Sequence, residues 1–306
     1  MNLSPNNQTN LYGLENQFNE LVKLYKKDIL PSKILLSGLK GIGKSTLAYH
    51  LINYILSLNE DYQYELDKLT INPENRSYKL IQNNTNPNFY LIDVNLDKKN
   101  IDINQIRTLI HNLNKSSFNS KPRFVLIDNI EYLNINSINA LLKILEEPNE
   151  NIHFILIHNN KKILSTLLSR CINFKISLDN QKIKEINDSL FEKKTSELIN
   201  QDLIDYYFTP GRIFNLLKFS NDKEIDLKKI NLRDFLLLLI NNSYYKSDDK
   251  VKSLLYDMIE LFILKNISMI YSDLSSYFLT RINEYKKFNL DDESLFLEIK
   301  SKLLNE

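Results

Sequence analysis

Cysteine is nearly absent from this 306-residue sequence; Cys171 is the only one. A lone thiol excludes an internal disulfide and any zinc site built from several cysteines, and it suits a reducing cytoplasm. Glycine is almost as scarce, with five residues in the whole chain. Net charge is missing too: 39 Lys and Arg face 38 Asp and Glu, a formal +1. Such a balance excludes a protein that grips DNA mainly through its overall field, though a local basic face remains open. No apolar run is long enough to cross a bilayer, the longest being Phe235 to Ile240. The Asn- and Gln-rich N-terminus has no apolar h-region, so no signal peptide is expected. With 43% hydrophobic and 25% charged residues and no internal repeat, the expectation is a soluble, cytoplasmic globular protein of two or three domains.

Three of the five glycines fall within six positions, in Gly38-Leu39-Lys40-Gly41-Ile42-Gly43-Lys44-Ser45. This is G-x-x-x-x-G-K-S, the phosphate-cradling P-loop. The apolar run Ile34-Leu35-Leu36 precedes it, and Leu47, Leu51, Ile52 and Ile55 mark one face of a helix after it. Strand, glycine loop and helix are the context in which the motif works: backbone N–H groups close on an anion at a helix N-terminus. Gly38, Lys40, Gly41, Ile42, Gly43, Lys44, Ser45 and Thr46 are therefore the candidate nucleotide-binding residues. Lys44 is expected on the β- and γ-phosphates, with the Ser45 hydroxyl on Mg²⁺.

The same alternation continues downstream. Upstream of the loop, Leu14 to Tyr25 has helical spacing; downstream, Phe89-Tyr90-Leu91-Ile92 reads as a buried strand and Ile103 to Leu113 as an amphipathic helix. Between the P-loop helix and that strand, Asn59 to Pro87 is polar and without clear periodicity, an excursion from the core fold. Arg123 to Ile127 is a strand that ends in Asp128, the place where P-loop proteins hold Mg²⁺ through water. Ser137 to Glu147 predicts a helix, Phe154 to Ile157 a strand followed by His158, Asn159 and Asn160, and Ile172 to Ile176 a last strand. Alternating strands and helices imply an α/β fold whose ligands bind at the strand C-terminal ends. From about Ser177 strand signals cease. Leu178 to Leu198, Ile213 to Phe219, Leu232 to Ile240, Val251 to Ile270, Leu274 to Phe288 and Asp291 to Leu303 all read as helices, with Asp291 placed to cap the last.

Asn139-Ala140-Leu141-Leu142-Lys143-Ile144-Leu145-Glu146-Glu147-Pro148, followed by Ser169-Arg170-Cys171, resembles the clamp-loader branch of the AAA+ ATPases. Ile103-Asn104-Gln105-Ile106-Arg107 matches a segment those proteins carry before the strand ending in the Mg²⁺ aspartate. Thr209-Pro210-Gly211-Arg212 is similar to their sensor 2 region, and Asn289-Leu290-Asp291 to bacterial delta-prime subunits in particular. The resemblance implies a P-loop domain (1–176), a small helical lid (177–221) and a helical collar for oligomerisation (222–306). It implies a subunit of the DNA polymerase III clamp loader, with tau/gamma and delta subunits, the sliding clamp and primed DNA as partners. It also implies Asn159 as sensor 1, with His158 as competitor, Arg212 as sensor 2, and Arg170 as an arginine finger in a neighbour's ATP site.

Two departures accompany the resemblance. Asn129 stands where ATPase members have a glutamate; an amide can orient a water but cannot take its proton. The segment 59–87 lacks the four cysteines of the zinc module that many relatives carry. Both favour a subunit with little or no hydrolysis of its own over an active tau/gamma-like motor. A small-molecule P-loop kinase is a third possibility, but no lid or acceptor site can be picked out. Glu131 is expected at the surface, Cys171 as a small buried hydrophobe, and the pairs Lys26-Lys27, Lys98-Lys99 and Lys161-Lys162 as solvated.

Overall fold

The computed structural model describes residues 4–94, 100–116, 119–146, 151–159, 163–204, 208–246, 248–267, 272–288 and 290–304. Lys98-Lys99, Glu147-Pro148, Asn160, Lys161-Lys162 and Asn289 lie outside those residues. The chain divides into two compact units, Met1–Ile183 and Lys184–Glu306.

Among the described residues of the first unit the apolar runs form five strands, β1 (Lys33–Ser37), β2 (Phe89–Ile92), β3 (Arg123–Ile127), β4 (Ile152–His158) and β5 (Ile172–Lys175). Every pairing is parallel, in the order β2-β3-β4-β1-β5. Helices accompany them: α1 (Glu15–Lys26), α2 (Lys44–Leu56), α3 (Arg76–Gln82), α4 (Ile103–Leu113), α5 (Ile135–Glu146) and α6 (Ser165–Leu168). Successive side chains of a strand point to opposite faces, and both faces are covered here. Ile34, Leu36, Phe124, Leu126, Ile155 and Ile157 pack with residues of α1 and α2. Leu35, Val125, Ile127, Phe154 and Leu156 pack with residues of α4 and α5. Such two-sided burial explains why β1, β3 and β4 read as unbroken apolar runs rather than as alternating ones.

The excursion expected between Asn59 and Pro87 is more ordered than its composition suggests. Asn75 caps α3 by accepting from Tyr78 N, and its amide donates to the Tyr62 carbonyl at 2.6 Å. The Glu60 carboxylate accepts from the Ser77 backbone and hydroxyl and from Lys121. Periodicity is hard to see in a seven-residue helix; buried asparagine and carboxylate contacts organise this segment instead.

The second unit is helical: α7 (Asn180–Phe191), α8 (Thr195–Leu198), α9 (Pro210–Asp222), α10 (Leu232–Asn241), α11 (Asp249–Lys265), α12 (Ser272–Phe288) and α13 (Asp292–Ile299). The first of these begins four residues before the division. Pro210 occupies the first turn of α9, where its missing N–H costs nothing. Asp291 caps α13 by accepting from Glu293 N, as expected. Residues on both sides of position 221 share one apolar core, with Phe219 edge-on to Phe235 at 6.3 Å. Among the described residues no helix is long and apolar enough to span a membrane.

Candidate nucleotide-binding site

β1 runs directly into the glycine loop. Gly38 N donates to the His158 carbonyl at 3.2 Å, and a Cβ on Gly38 would sit 2.3 Å from the Ile176 carbonyl oxygen. Only glycine fits that gap. Gly41 and Gly43 have φ of 81° and 100°, and Gly43 is the N-cap residue of α2. Left-handed residues ahead of a helix are what let successive backbone N–H groups form an anion cradle. Ile42 is buried, Lys40 exposed and Thr46 half-buried.

Lys44 is only 2% exposed, and its ammonium donates to the Gly38 and Leu39 carbonyls at 3.0 and 2.7 Å. Burial pulls its pKa down to about 8, while Asp128 and Glu131 pull the other way and Lys40 adds to the fall. A buried ammonium that has only neutral carbonyls for partners gains from a phosphate oxygen, a charged acceptor. Ser45 Oγ donates to Asp128 Oδ2 at 2.6 Å, and Asn129 N to Asp128 Oδ1 at 2.8 Å. Burial, reinforced by the charge of Asp93, pushes the Asp128 carboxyl up to about 6. A divalent cation beside it would reverse that shift. One hydroxyl and one carboxylate suit Mg²⁺, which keeps several waters and leans on substrate phosphates. Among the described residues no group of three or more His, Cys, Asp or Glu is arranged to hold a metal by itself.

Beyond the loop, a chain of polar contacts crosses the C-terminal ends of β2, β3 and β4. Asn129, left-handed at φ 56°, donates from Nδ2 to Asp93 Oδ1 at 2.9 Å. Asn159 Nδ2 donates to Asn129 Oδ1 and to Glu131 Oε1, both at 2.9 Å, and Asn159 N reaches Glu131 Oε2 at 3.4 Å. Of the two sensor 1 candidates, Asn159 makes these contacts, and His158 is buried at the end of β4. Glu131, expected at the surface, is half-buried and accepts from Asn159. The short 3₁₀ turn Ile130–Tyr132 that follows Asn129 brings it back over the strand ends. Asp93 was overlooked as well, although a signal existed. It follows β2 as Asp128 follows β3, and the register pairs Ile92 with Ile127, so the two acids leave the sheet side by side.

The remaining candidates lie elsewhere. Arg170 follows α6; its guanidinium pairs with the Glu146 carboxylate and donates to the Thr166 carbonyl at 2.9 Å, while its buried Nε has no partner. Cys171 packs against the α4–α5 side of the core, and burial pushes its thiol up to about 11, so it is unreactive. Arg212, in the second unit, pairs with Asp257 at 3.3 Å.

A parallel sheet in this order, with a P-loop leading from β1 into α2 and an aspartate at the end of β3, defines a P-loop protein of the AAA+ class. Residues 13–180, just over half the chain, match the family model described as DNA polymerase III, delta subunit. The chain belongs to this family, within the AAA+ clamp-loader proteins. It is 30% identical over 248 residues to the DNA polymerase III gamma/tau subunit of Mycoplasma genitalium, covering 81% of this chain and 37% of that protein. With the delta-prime subunit of Buchnera aphidicola subsp. Schizaphis graminum it shares 29% over 195 residues, 60% of this chain and 56% of the other. The chain thus spans well under two thirds of these relatives. A gamma subunit-related DNA polymerase III protein of Thermotoga maritima shares the fold, with a TM-score of 0.53 at 19% identity over 92% of this chain and 97% of that one.

Proposed function

We propose that this chain is a delta-prime-type subunit of a DNA polymerase III clamp loader, assembling with tau/gamma and delta subunits to place the sliding clamp on primed DNA. It binds adenine nucleotide with Mg²⁺ at the P-loop, turns over little of it, and lends Arg170 to the ATP site of a neighbour. The observation that carries the low turnover is Asn129. Its side chain cannot accept a proton, and both ends of its amide are engaged, by Asp93 and Asn159. Arginine fingers contribute about 10³–10⁵ in rate elsewhere. Arg170 can leave Glu146 cheaply, because a pair on a largely exposed surface is worth under about 1 kcal/mol. A lid at 177–221 that presents Arg212 as sensor 2, and a collar at 222–306 that joins subunits, complete the proposal.

The test is reconstitution. Mixed with tau/gamma and delta subunits, the chain should co-elute at fixed stoichiometry, whereas alone it should hydrolyse ATP near background. One observation favours a second assignment, an active tau/gamma-like motor: Glu131 brings a carboxylate into the site that position 129 lacks. Robust steady-state hydrolysis by the isolated chain, lost in Glu131→Gln, would establish that motor.

A further inference from the structure

Neither low turnover nor phosphate binding calls for the position of Glu131 at the strand ends. Its carboxylate accepts from the Asn159 side chain at 2.9 Å and faces the Asn159 backbone N–H at 3.4 Å. The other hydrogen of that Asn159 amide goes to Asn129 Oδ1 at 2.9 Å. Both donors of the sensor side chain are therefore spent. Asn129 is held in turn by Asp93, so the chain of contacts runs across the ends of three strands.

We propose that Glu131 makes this P-loop site selective for a nucleoside diphosphate over the triphosphate, by occupying the amide donors of Asn159 and by setting a carboxylate where a third phosphate would add charge. The inference rests on the P-loop binding nucleotide, as proposed above.

Lys44 serves the β- and γ-phosphates, so the last phosphate of a bound nucleotide lies nearest the acids that act on this lysine. Those acids are Asp128 and Glu131. Asp128 has the Ser45 hydroxyl and the Asn129 N–H to balance it, and Mg²⁺ when bound. Among the described residues, the hydrogen-bond donors to Glu131 are those of Asn159. A γ-phosphate that draws on Asn159 takes a donor from Glu131 and leaves a half-buried carboxylate beside an added negative charge. A diphosphate ends one group short, keeps the cradle and Lys44, and leaves the network intact. The triphosphate carries one more negative charge than the diphosphate with or without Mg²⁺, so the cation does not cancel the difference.

The test is competitive displacement of a fluorescent ADP analogue from the full chain by ADP and by ATP, with and without Mg²⁺. Wild type should bind ADP about tenfold more tightly than ATP, the scale of one like-charge contact in a partly solvated site. Glu131→Gln keeps an acceptor for Asn159 and removes the charge; Glu131→Ala removes both. In each variant the ratio should fall to within about threefold of unity, mainly through tighter ATP binding, with unchanged circular dichroism. ATP bound at least as tightly as ADP by wild type, or an unchanged ratio in both variants, would overturn the inference. Lys44→Ala separates the two levels: nucleotide binding that survives it unaltered contradicts the P-loop as the site, whatever the ratio.

Discussion

Replacing Asp128 by asparagine should stabilise the free protein while removing its response to Mg²⁺. Burial raises the carboxyl from its ordinary value of 3.8 to about 6. A carboxyl with a raised folded-state pKa contributes no cost below pH 3.8; the cost grows between pH 3.8 and about 6 and is complete above that. At pH 7.5 the ionised group costs up to about 3 kcal/mol by linkage, at 1.36 kcal/mol per pKa unit. Residual exposure of Asp128 and water screening bring that to roughly 1–2 kcal/mol. Asparagine offers one acceptor where the carboxylate serves both the Ser45 hydroxyl and the Asn129 N–H. Losing one of these contacts subtracts about 1 kcal/mol. The net expectation at pH 7.5 is a gain of up to about 1 kcal/mol, which reverses to a loss near pH 4, where the wild-type carboxyl is protonated. Urea unfolding of both proteins across pH 4–8 reads this directly. A variant less stable than wild type by more than 1 kcal/mol at pH 7.5 would refute the account of a carboxylate held ready for a cation.

His50 titrates in the opposite sense. It is buried, with Nε2 donating to the Gln8 carbonyl at 3.1 Å and Nδ1 therefore accepting from the Tyr64 hydroxyl at 2.8 Å, and burial lowers its pKa from 6.5 to about 4. Its folded pKa is depressed, so stability falls as pH drops from 6.5 towards 4, by about 2 kcal/mol at pH 5. His50→Gln should lose that acid sensitivity in a urea titration; an unchanged pH slope counts against a neutral buried imidazole. Gly38→Ala forces a Cβ against the Ile176 carbonyl, which calorimetry should show as a loss of about 2–4 kcal/mol, together with lost nucleotide binding. A Gly38→Ala protein as stable as wild type would show that the gap can open freely.

The sheet was legible because β1, β3 and β4 are covered on both faces and read as apolar runs, and because α4 and α5 keep helical spacing on their buried sides. α3 was not legible. Its seven residues are positioned by Asn75 and Glu60, whose contacts join residues far apart in sequence. At the site, the P-loop residues and Asp128 follow from local pattern, since cradle and cation ligand are each set by a few neighbouring positions. Asn159 was reachable only as a residue at the end of a strand. Its partners depend on the order of the strands, which sequence spacing does not disclose. Glu131 was misplaced because its direction depends on a left-handed Asn129 and the turn after it, and an asparagine in sequence does not announce that backbone. Asp93 needed the β2–β3 register before it could be set beside Asp128.

The most direct test of the central claim is an Arg170→Ala chain in a reconstituted complex with tau/gamma and delta subunits, measured by DNA- and clamp-stimulated ATP hydrolysis and by clamp loading. Arginine can meet two phosphate oxygens at once, so it stabilises the charge that grows on a transferring phosphoryl group more than it stabilises bound ATP. The variant should assemble at normal stoichiometry and lose hydrolysis at the single neighbouring site that it completes. Total turnover should fall in part, coupled loading should fall further, and Arg170→Lys should be nearly as poor. Normal loading and unchanged hydrolysis by an assembled Arg170→Ala complex would contradict the account and leave Arg170 as the partner of Glu146 alone.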